Sequence, residues 1–408
     1  MKVRIGICGT GAFSRHFIPL FKAHPAVGEV VLCDLDAGKL REKQDEFEIA
    51  RGCPSLDALC RADVDAIAIF TQPHLHGPQA VQALRSGKHV YSAVPSAVSM
   101  DEITALVKAV EDTSRVYMIG ETSVYYPSAI YCRERFRKGD LGRIVYGEGE
   151  YYHDWEHGLV DVYKWRHGDE WRRYTNKPPF YYPTHSTSMI VSVTGAHVTH
   201  VCGMGFVDDN EDEFYGQDDN VWHDNPFSNE TMLCRMSDGS MARINEFRRI
   251  GHPGTVGLSL YGTEASFEEQ ALPSAARQRP GDVRCNWSTR NRDTCVDLTD
   301  LLACSGVADS GTAGQMAAVT GADGTHKGAS RIHPVHLLPK EYRGLGNGHR
   351  GSHQFLIHDF VTACVSGTPP ELTNVWQAAR YLVPGLVAHE SARNGSPLVE
   401  VPDFGGGV

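Results

Sequence analysis

The sequence predicts an α/β protein in which a doubly wound parallel sheet is followed by an α+β domain with an open, mainly antiparallel sheet. Three observations predict this fold class. An apolar run ends in a Gly9-x-Gly11 turn, strand-like and helix-like segments then alternate to about residue 122, and from about residue 143 apolar and polar residues alternate instead. We therefore divide the chain into domains at residues 1–122 and 123–408.

The first predicted strand leads into a turn suited to binding a dinucleotide. Gly9 permits the tight turn, Gly11 lets the backbone approach phosphates, and the positive N-terminus of the following helix faces their charge. Ser14 stands where that pattern usually has a third glycine, so the turn alone is weak evidence. The residues of this turn that we expect to contact the cofactor are Gly9, Thr10, Gly11, Ala12 and Phe13.

The second predicted strand, Glu29–Cys33, ends at Asp34, which lies 25 positions after Gly9. A carboxylate at this place hydrogen-bonds the adenosine ribose 2′-hydroxyl of NAD. It would repel the 2′-phosphate of NADP by roughly 1–4 kcal/mol per charge pair at about 4 Å. NAD is thus the expected cofactor and NADP the less favoured one. The alternative for Asp34 is an ordinary surface carboxylate after a buried strand.

Later segments complete the two predicted sheets. In the first domain they are strand Asp65–Phe70, helix Gly77–Ser86, strand His89–Tyr91, helix Ile103–Glu111 and strand Arg115–Ile119. In the second domain the predicted strands are Ile144–Tyr152, Glu230–Met236, Met241–Phe247 and Val256–Tyr261. A helix at about 374–393 is expected to pack back on the first domain. Residues 303–330, rich in Gly, Ala, Ser and Thr, predict a loop insertion, and the acidic residues 207–219 predict a solvated loop.

Composition restricts the class of protein. The chain has 408 residues, enough for about two domains, and its 41% hydrophobic and 22% charged residues are typical of a globular enzyme. The net charge of −11 argues against a nucleic-acid partner. Because the sequence has neither a signal-like N-terminal segment nor an apolar stretch of about 18 residues, we expect no membrane partner and a cytoplasmic location. Eleven cysteines without C-x-x-C pairs indicate reduced thiols.

Further motifs carry a resemblance to a known family. They are Thr71-Gln72-Pro73-His74-Leu75-His76, Gly87-Lys88-His89-Val90 and Pro95 in the first domain, and residues 348–353, 376–379 and 397–404 in the second. Together they resemble the Gfo/Idh/MocA family of NAD(P)-dependent sugar oxidoreductases over most of the chain outside the insertion. The resemblance implies a Rossmann domain, a second domain whose sheet covers the nicotinamide, and homodimers or homotetramers. The cofactor contacts that it implies are Thr71, Pro73, His76, Pro95 and Glu121.

One departure from the family pattern is informative. Most members have Glu-Lys-Pro where this chain has Ala93-Val94-Pro95, and valine neither takes nor gives a proton. A similar loss occurs in the branch of NAD-dependent glycosidases such as the bacterial α-N-acetylgalactosaminidases. The chain also resembles the Tyr-Pro-Thr-His motif of that branch at residues 182–185 and its Gly-Tyr-x-His-Asp stretch at residues 149–154. This resemblance assigns catalysis to His185, Tyr182 and Tyr152, and substrate binding to His153 and His349.

The glycosidase branch implies hydrolysis of a sugar or glycoside without net redox change. Tightly bound NAD would oxidise C3 of a pyranose, a base would abstract the C2 proton, and the C1 substituent would be eliminated before water adds and the sugar is re-reduced. Tyrosine and histidine, with reference pKa values of about 10 and 6.5, suit such proton transfers. Two alternatives stay open, an NAD-dependent sugar or polyol dehydrogenase that releases NADH and a noncatalytic NAD-binding sensor.

Several of these residues also have plainer interpretations. His185 is compatible with a core histidine or a simple hydrogen-bonding residue, Tyr152 with core packing, and His349 with a glycine-flanked loop. His153 and His157 are four residues apart, as on one helix face, but no third ligand stands at a recognisable spacing. The sequence therefore predicts no metal site.

An aromatic and cationic segment, residues 163–174, precedes the Tyr-Pro-Thr-His motif and contains Arg166 and Arg172. Aromatic faces stack on sugar rings, and arginine binds carboxylate, sulfonate or phosphate groups in a bidentate manner. Both arginines are therefore candidates for binding an anionic sugar. The alternative is a cationic surface helix or an oligomer contact.

Overall fold

The computed structural model describes residues 2–271, 283–291, 295–304 and 325–406. Most of the predicted insertion at 303–330 lies outside the described residues. Within the described ranges, no helix combines the length and the apolar character that crossing a bilayer requires.

The first sheet has the predicted doubly wound form. Its six strands run parallel in the order β3-β2-β1-β4-β5-β6. They are β1 (Val3–Cys8), β2 (Val27–Cys33), β3 (Gly52–Cys53), β4 (Ala66–Ile69), β5 (His89–Ser92) and β6 (Tyr117–Ile119). The helices between them are α1 (Ile18–Ala23), α2 (Ala37–Phe47), α3 (Leu56–Arg61), α4 (His76–Arg85) and α5 (Met100–Thr113).

Local sequence explains where these elements begin and why they are buried. The side chains of Asp36, Ser55 and Ser99 accept backbone N–H hydrogen bonds at the starts of α2, α3 and α5. The strands are short and apolar because helices cover both faces of the sheet. On one face Ile67 packs in the cluster that contains α5, and on the other Ala68 packs in the cluster that contains α1.

The second sheet is mainly antiparallel, as predicted, and has the order β14-β13-β12-β11-β7-β10-β9-β8-β15. Its strands are β7 (Ile144–Tyr152), β8 (Val198–Val207), β9 (Phe227–Met236), β10 (Met241–Phe247), β11 (Thr255–Gly262), β12 (Ala265–Ala271), β13 (Val283–Thr289), β14 (Cys295–Asp297) and β15 (Val399–Glu400). Strands β7 and β10 pair in parallel, whereas the other neighbours pair antiparallel.

Helices of the second part of the chain pack on both sheets. They are α6 (Pro127–Arg137), α7 (Leu159–His167), α8 (Thr184–Thr194), α9 (Thr299–Leu302), α10 (Gly348–Gly351), α11 (His353–Ser366) and α12 (Val375–Arg393). Helix α8 lies so close to β7 that a Cβ atom on Gly149 would stand 2.1 Å from the Ser186 carbonyl oxygen. Helix α11 buries Phe360 in the cluster that contains β1, and α12 places Leu382 in the cluster that contains β6.

The acidic residues 207–219 form the solvated loop that their charge predicts. After β8 ends at Val207 the chain has no helix or strand up to residue 219, and the exposed acidic residues are Asp209, Glu211, Glu213, Asp218 and Asp219. Asp208 and Asp212 form ion pairs with Arg249, at 2.6 and 2.7 Å. Tyr215 is buried and its hydroxyl accepts a hydrogen bond from the Trp155 indole at 3.1 Å. Opposite charges and aromatic packing thus anchor the loop at these positions, which the local charge pattern does not indicate.

Candidate active site

A cavity of about 880 Å³ lies at the carboxyl ends of the first-sheet strands, where residues of the second sheet complete its wall. Open α/β sheets bind their ligands at this end of the strands. The volume is near the upper end of the range of about 300–1,000 Å³ that is usual for ligand pockets. The cavity therefore has room for a cofactor and a small substrate together.

The turn after β1 has the geometry that the glycines predict. Gly9 has a φ of +90°, and a Cβ atom there would approach the Phe70 carbonyl oxygen to 2.8 Å. At Gly11 a Cβ atom would meet no atom within 4 Å, so this position opens on the cavity. All five residues predicted to contact the cofactor in this turn line the cavity. The following helix begins with a 3₁₀ turn, Ser14–His16, before α1.

Asp34 connects this turn to the end of β2. Its Oδ2 atom accepts hydrogen bonds from the Thr10 N–H at 2.8 Å and the Thr10 hydroxyl at 2.9 Å. Its Oδ1 atom accepts a hydrogen bond from the Asp36 N–H at 2.9 Å. A carboxylate has about four lone-pair sites, so acceptor capacity remains for a ribose hydroxyl. Together with the open backbone at Gly11, these residues fit NAD.

The loop after β4 forms another part of the wall. Thr71, Pro73 and His76 line the cavity, as the resemblance implied. The ring nitrogens of His76 lie 2.8 Å from the Pro95 carbonyl oxygen and 3.0 Å from the Thr71 carbonyl oxygen. Pro95 itself does not line the cavity, because its carbonyl is turned towards His76 and the preceding Val94 occupies the wall. The predicted cofactor contact at Pro95 stays a prediction.

Glu121 and His185 form a buried pair at the junction of the two domains. The Glu121 Oε1 atom lies 2.7 Å from Nδ1 of His185 and accepts a hydrogen bond from the Ser123 N–H at 2.9 Å. Burial lowers the pKa of His185, but the charge and hydrogen bond of Glu121 outweigh it, so the pKa is raised overall. Burial raises the pKa of Glu121, but His185 reverses the direction and the pKa is lowered. Glu121 does not line the cavity, and its predicted contact with the cofactor stays a prediction.

The structure places Tyr152, predicted to be catalytic, outside the cavity wall. Its hydroxyl accepts a hydrogen bond from the Asn245 amide at 3.1 Å, its ring stacks on Phe247, and it does not line the cavity. Successive side chains of a strand point to opposite faces. The neighbouring residue, Tyr151, therefore faces the cavity instead, with its ring centroid 5.4 Å from that of His185.

Tyr182 and His185 meet in the cavity wall, as their motif predicts. A 3₁₀ turn, Pro179–Tyr181, precedes Tyr182, and His185 stands in the first turn of α8. The two ring centroids are 5.4 Å apart. Burial raises the pKa of Tyr182 to about 12, so this hydroxyl keeps its proton at neutral pH. Burial likewise raises the pKa of Tyr151.

Two charged groups of the wall were missed by sequence reasoning. The Arg248 guanidinium lies 2.6 Å from a Glu246 carboxylate oxygen and 4.8 Å from the centre of the Tyr151 ring. The Lys177 amine lies 5.5 Å from the centre of the Tyr182 ring. Arg248 directly follows β10, but no local pattern indicates that Lys177 is enclosed.

The predicted substrate-binding residues divide into two groups. Arg166, His153 and His349 line the cavity. The Tyr151 hydroxyl lies 2.7 Å from Nδ1 of His153. Arg172 does not line the cavity, because it forms an exposed ion pair with Glu213 at 2.8 Å. The predicted substrate contact of Arg172 stays a prediction that its position outside the cavity does not favour.

His349 approaches the cofactor side of the cavity from a strained turn. Its ring centroid is 5.9 Å from that of Phe13, and its Nδ1 atom is 2.7 Å from Nε2 of His353. His349 and Arg350 both have positive φ angles, of 48° and 53°. Such conformations are uncommon outside glycine and concentrate at functional sites. Among the described residues, no group of three or more His, Cys, Asp or Glu side chains is arranged to hold a metal ion.

Comparison with known proteins identifies the first domain. Residues 3–121 match the family GFO_IDH_MocA, described as "Oxidoreductase family, NAD-binding Rossmann fold". The N-terminal domain is a Gfo/Idh/MocA domain. The predicted family, its fold and its NAD cofactor are thereby confirmed.

Similarity to named proteins extends beyond the Gfo/Idh/MocA domain. The chain is 24% identical over 432 residues to a "Glycosyl hydrolase family 109 protein" of Saccharopolyspora erythraea, covering 98% of this chain and 83% of that protein. A Bacteroides fragilis protein, "Glycosyl hydrolase family 109 protein 1", is 34% identical over 164 residues, 38% of this chain and 35% of its own. The predicted resemblance to the glycosidase branch is confirmed, and the chain is an NAD-dependent enzyme.

The whole fold also has solved counterparts. A levoglucosan dehydrogenase in complex with NADH matches with a TM-score of 0.70 and 18% identity, covering 99% of this chain and 100% of its own. A scyllo-inositol dehydrogenase from Lactobacillus casei with bound NAD(H) and scyllo-inositol matches with a TM-score of 0.66 and 15% identity, covering 98% and 99%. Both domains therefore follow the architecture of Gfo/Idh/MocA dehydrogenases.

Proposed function

We propose that this protein hydrolyses a glycoside through transient oxidation at C3 of the sugar, with NAD kept tightly bound through the cycle. The observation that carries the proposal is the Glu121–His185 pair, which faces the cavity beside Tyr151 and Tyr182. An oriented base beside two protonated phenols suits removal of a carbon-bound proton together with protonation of a leaving oxygen. Similarity to proteins named Glycosyl hydrolase family 109 over nearly the full chain supports the same reaction.

The chemistry assigns separate roles to these side chains. Bound NAD supplies reversible hydride transfer at C3, and a C3 ketone makes the C2 proton acidic. His185, once neutral, takes the C2 proton as the bond from C1 to the leaving oxygen breaks and a C1–C2 double bond forms. Tyr151 and Tyr182 keep their protons at neutral pH, so either hydroxyl can protonate the leaving oxygen. Water then adds to C1 and gives its second proton to the tyrosine oxygen that protonated the leaving group, His185 returns its proton to C2, and reduction of the ketone completes hydrolysis without net redox change.

The charges around the cavity support an anionic sugar as substrate. Arg166 and Arg248 both line it, and Arg248 already pairs with Glu246. Arginine binds carboxylate, sulfonate or phosphate in a bidentate manner. We infer that Arg166 contacts an acidic substituent of the sugar.

The outer face of the second sheet supports assembly into a homodimer or homotetramer. Exposed apolar side chains recur on neighbouring strands of the sheet, namely Met204, Phe206, Leu233, Met241 and Val145. Apolar patches of this kind mark interaction surfaces. Light scattering during size-exclusion chromatography measures the assembly, and a monomer at micromolar concentration would contradict it.

The deciding experiment uses neutral and anionic aryl glycosides in D₂O. Phenol release is followed together with NADH absorbance, and deuterium at C2 of the product is measured by mass spectrometry. Phenol release without net NADH, with deuterium at C2, is the expected result. Stoichiometric NADH with the glycosidic bond intact would instead establish the alternative, an NAD-dependent sugar or polyol dehydrogenase. Recovery of NAD from the purified protein tests tight binding.

A further inference from the structure

Lys177 is a cavity residue to which the reaction above gives no role. It is half-buried, it lines the cavity, and its amine lies 5.5 Å from the centre of the Tyr182 ring. Pro178 and Pro179 follow it directly and restrict the backbone at this point. Within the part of the chain that the structure describes, no carboxylate lies within ion-pair distance of this amine.

The surroundings of Lys177 oppose a positive charge on it. Burial lowers the pKa of Lys177 to about 7, the charges of Arg166 and Arg248 add to this effect, and Glu102 acts in the opposite direction. The charged groups that act electrostatically on the amine are Arg166, Arg248 and Glu102; its own charge acts on His74, His76 and His167, and the Tyr182 ring lies beside it. A lysine in this environment exchanges protons near neutral pH, whereas an exposed lysine does so near pH 10.4.

Lys177 shares the wall of one cavity with the other residues that the reaction uses. Its amine lies beside Tyr182, whose ring centroid is 5.4 Å from that of His185. Val94 lines the same cavity, and its side chain exchanges no proton. Lys177 is thus a wall residue that can exchange a proton where Val94 does not.

We propose that the Lys177 amine accepts the hydroxyl proton of the sugar carbinol during oxidation and returns it during reduction. This inference rests on the proposed function. In the oxidation, the carbinol C–H bond breaks as its hydride passes to NAD⁺, the O–H bond breaks as its proton passes to Nζ, and a C=O bond forms. The ammonium then holds the proton until the reverse step, so the cycle consumes no external acid or base.

The alternative role for Lys177 is a fixed positive charge that binds an anionic sugar. Substitution by arginine separates the two roles, because arginine keeps the charge but does not release its proton in this pH range. Lys177→Met removes both properties and keeps an unbranched side chain. Lys164→Met is the matched control, since Lys164 is exposed beside Trp171 and does not line the cavity.

The first test measures kcat and KM across pH 5–10 for these variants, with NADH binding by fluorescence as the control for folding. We expect kcat to fall about 100-fold or more in both Lys177→Arg and Lys177→Met. In both variants the titration of Lys177 should disappear from the pH profile while the acid limb of His185 remains, and Lys164→Met should behave as wild type. Retention of kcat in Lys177→Arg, with only KM affected in Lys177→Met, would assign anion binding and overturn the proposal. A wild-type protein without hydride transfer on any sugar would overturn the proposed function and this step together.

The second test needs no turnover. Cyanate carbamylates only neutral amines, and peptide mass spectrometry reports the rate at each lysine as pH is varied. We expect the midpoint for Lys177 at about pH 7, well below the value of about 10.4 that is usual for an exposed lysine. A midpoint at that usual value, or a Lys177 that is unreactive throughout, would overturn the role of Lys177 even if the wild-type enzyme hydrolyses glycosides.

Discussion

The carboxylate of Glu121 lies 2.7 Å from Nδ1 of His185 and connects the end of the first sheet to the helix that carries the base. Glu121 is fully buried and follows β6, whereas His185 lies in the first turn of α8. A carboxylate at Nδ1 leaves the other ring nitrogen, Nε2, to act on the substrate. The pair therefore fixes both the orientation and the basicity of the imidazole.

Replacing Glu121 with Gln should shift the pH dependence of the reaction. The charge of Glu121 is what raises the pKa of His185 against the effect of burial. Without it, burial prevails and the pKa falls, so the acid limb of the kcat/KM profile should move to lower pH. The weaker base should also lower kcat, by about 10-fold or more. An unchanged acid limb would show that His185 is not the titrating base.

The same variant should lose stability over a defined pH window. The raised pKa of His185 stabilises the folded state below about pH 6.5 and this contribution disappears as pH rises through the folded value. The lowered pKa of Glu121 stabilises it above about pH 4.3 and is lost as pH falls. The difference in free energy of unfolding between wild type and Glu121→Gln should thus be largest, at about 1–3 kcal/mol, between these limits. Urea titrations at pH 4, 5.5 and 9 measure it, and a pH-independent difference would contradict the linkage.

Two adjacent tyrosines provide a matched pair for testing the site. Tyr151→Phe removes a hydroxyl from the cavity wall, so kcat should fall about 10-fold or more. Tyr152→Phe removes a hydrogen bond to Asn245 on the other face, so it should cost about 0.5–1.5 kcal/mol of stability and leave kcat within about 2-fold. If steady-state kinetics instead show a fall of kcat in Tyr152→Phe and none in Tyr151→Phe, the reaction uses the Tyr152 hydroxyl.

Asp34→Asn should reduce the preference for NAD over NADP. The amide retains an acceptor for the two Thr10 hydrogen bonds but carries no charge to repel a 2′-phosphate. We expect the ratio of the NAD and NADP dissociation constants to change about 10-fold or more. Calorimetric titration of both cofactors measures this ratio, and Asp45→Ser on the exposed side of α2 is the control.

Arg166 and Arg172 should differ in their effect on an anionic substrate. Arg166 lines the cavity, whereas Arg172 pairs with Glu213 outside it. Arg166→Gln should raise KM for an anionic aryl glycoside about 10-fold or more, because hydrogen bonds to charged groups contribute about 1.5–3 kcal/mol. KM for the neutral analogue should stay within about 3-fold, and Arg172→Gln should resemble wild type. Equal effects of Arg166→Gln on both sugars would exclude charge recognition.

The fold was largely predictable because its signals are local. Strands Ile144–Tyr152 and Met241–Phe247 have the predicted bounds, because the alternation of apolar and polar residues along a strand directly indicates which side chains are buried. The predicted strand Arg115–Ile119 is shorter, Tyr117–Ile119, because pairing with β5 begins only at Tyr117. Such differences at strand ends do not move the cavity.

The site was predictable only where the residues of one short motif lie close together in sequence and therefore in space. Tyr182 and His185 lie on one short turn, so their proximity follows from chain geometry. Tyr151 was missed because the motif contains two adjacent tyrosines and does not indicate which of them faces the cavity. Lys177 was missed because its pKa depends on groups distant in sequence, including Arg248 and Glu102.

Both domains contribute residues to the cavity wall, and this arrangement allows cofactor binding and the reaction on the substrate to change separately in evolution. The predicted NAD contacts Gly9, Gly11 and Asp34 belong to the first domain, whereas the cavity's Tyr151, Lys177, Tyr182 and His185 belong to the second. Under the proposed function, mutation in the second domain can thus alter the reaction on the sugar while the binding of NAD is kept. Glu121 is the exception, because it contributes to the base from the first domain. A chimera that exchanges second domains between relatives would have to inherit a carboxylate at position 121 together with the histidine that it orients.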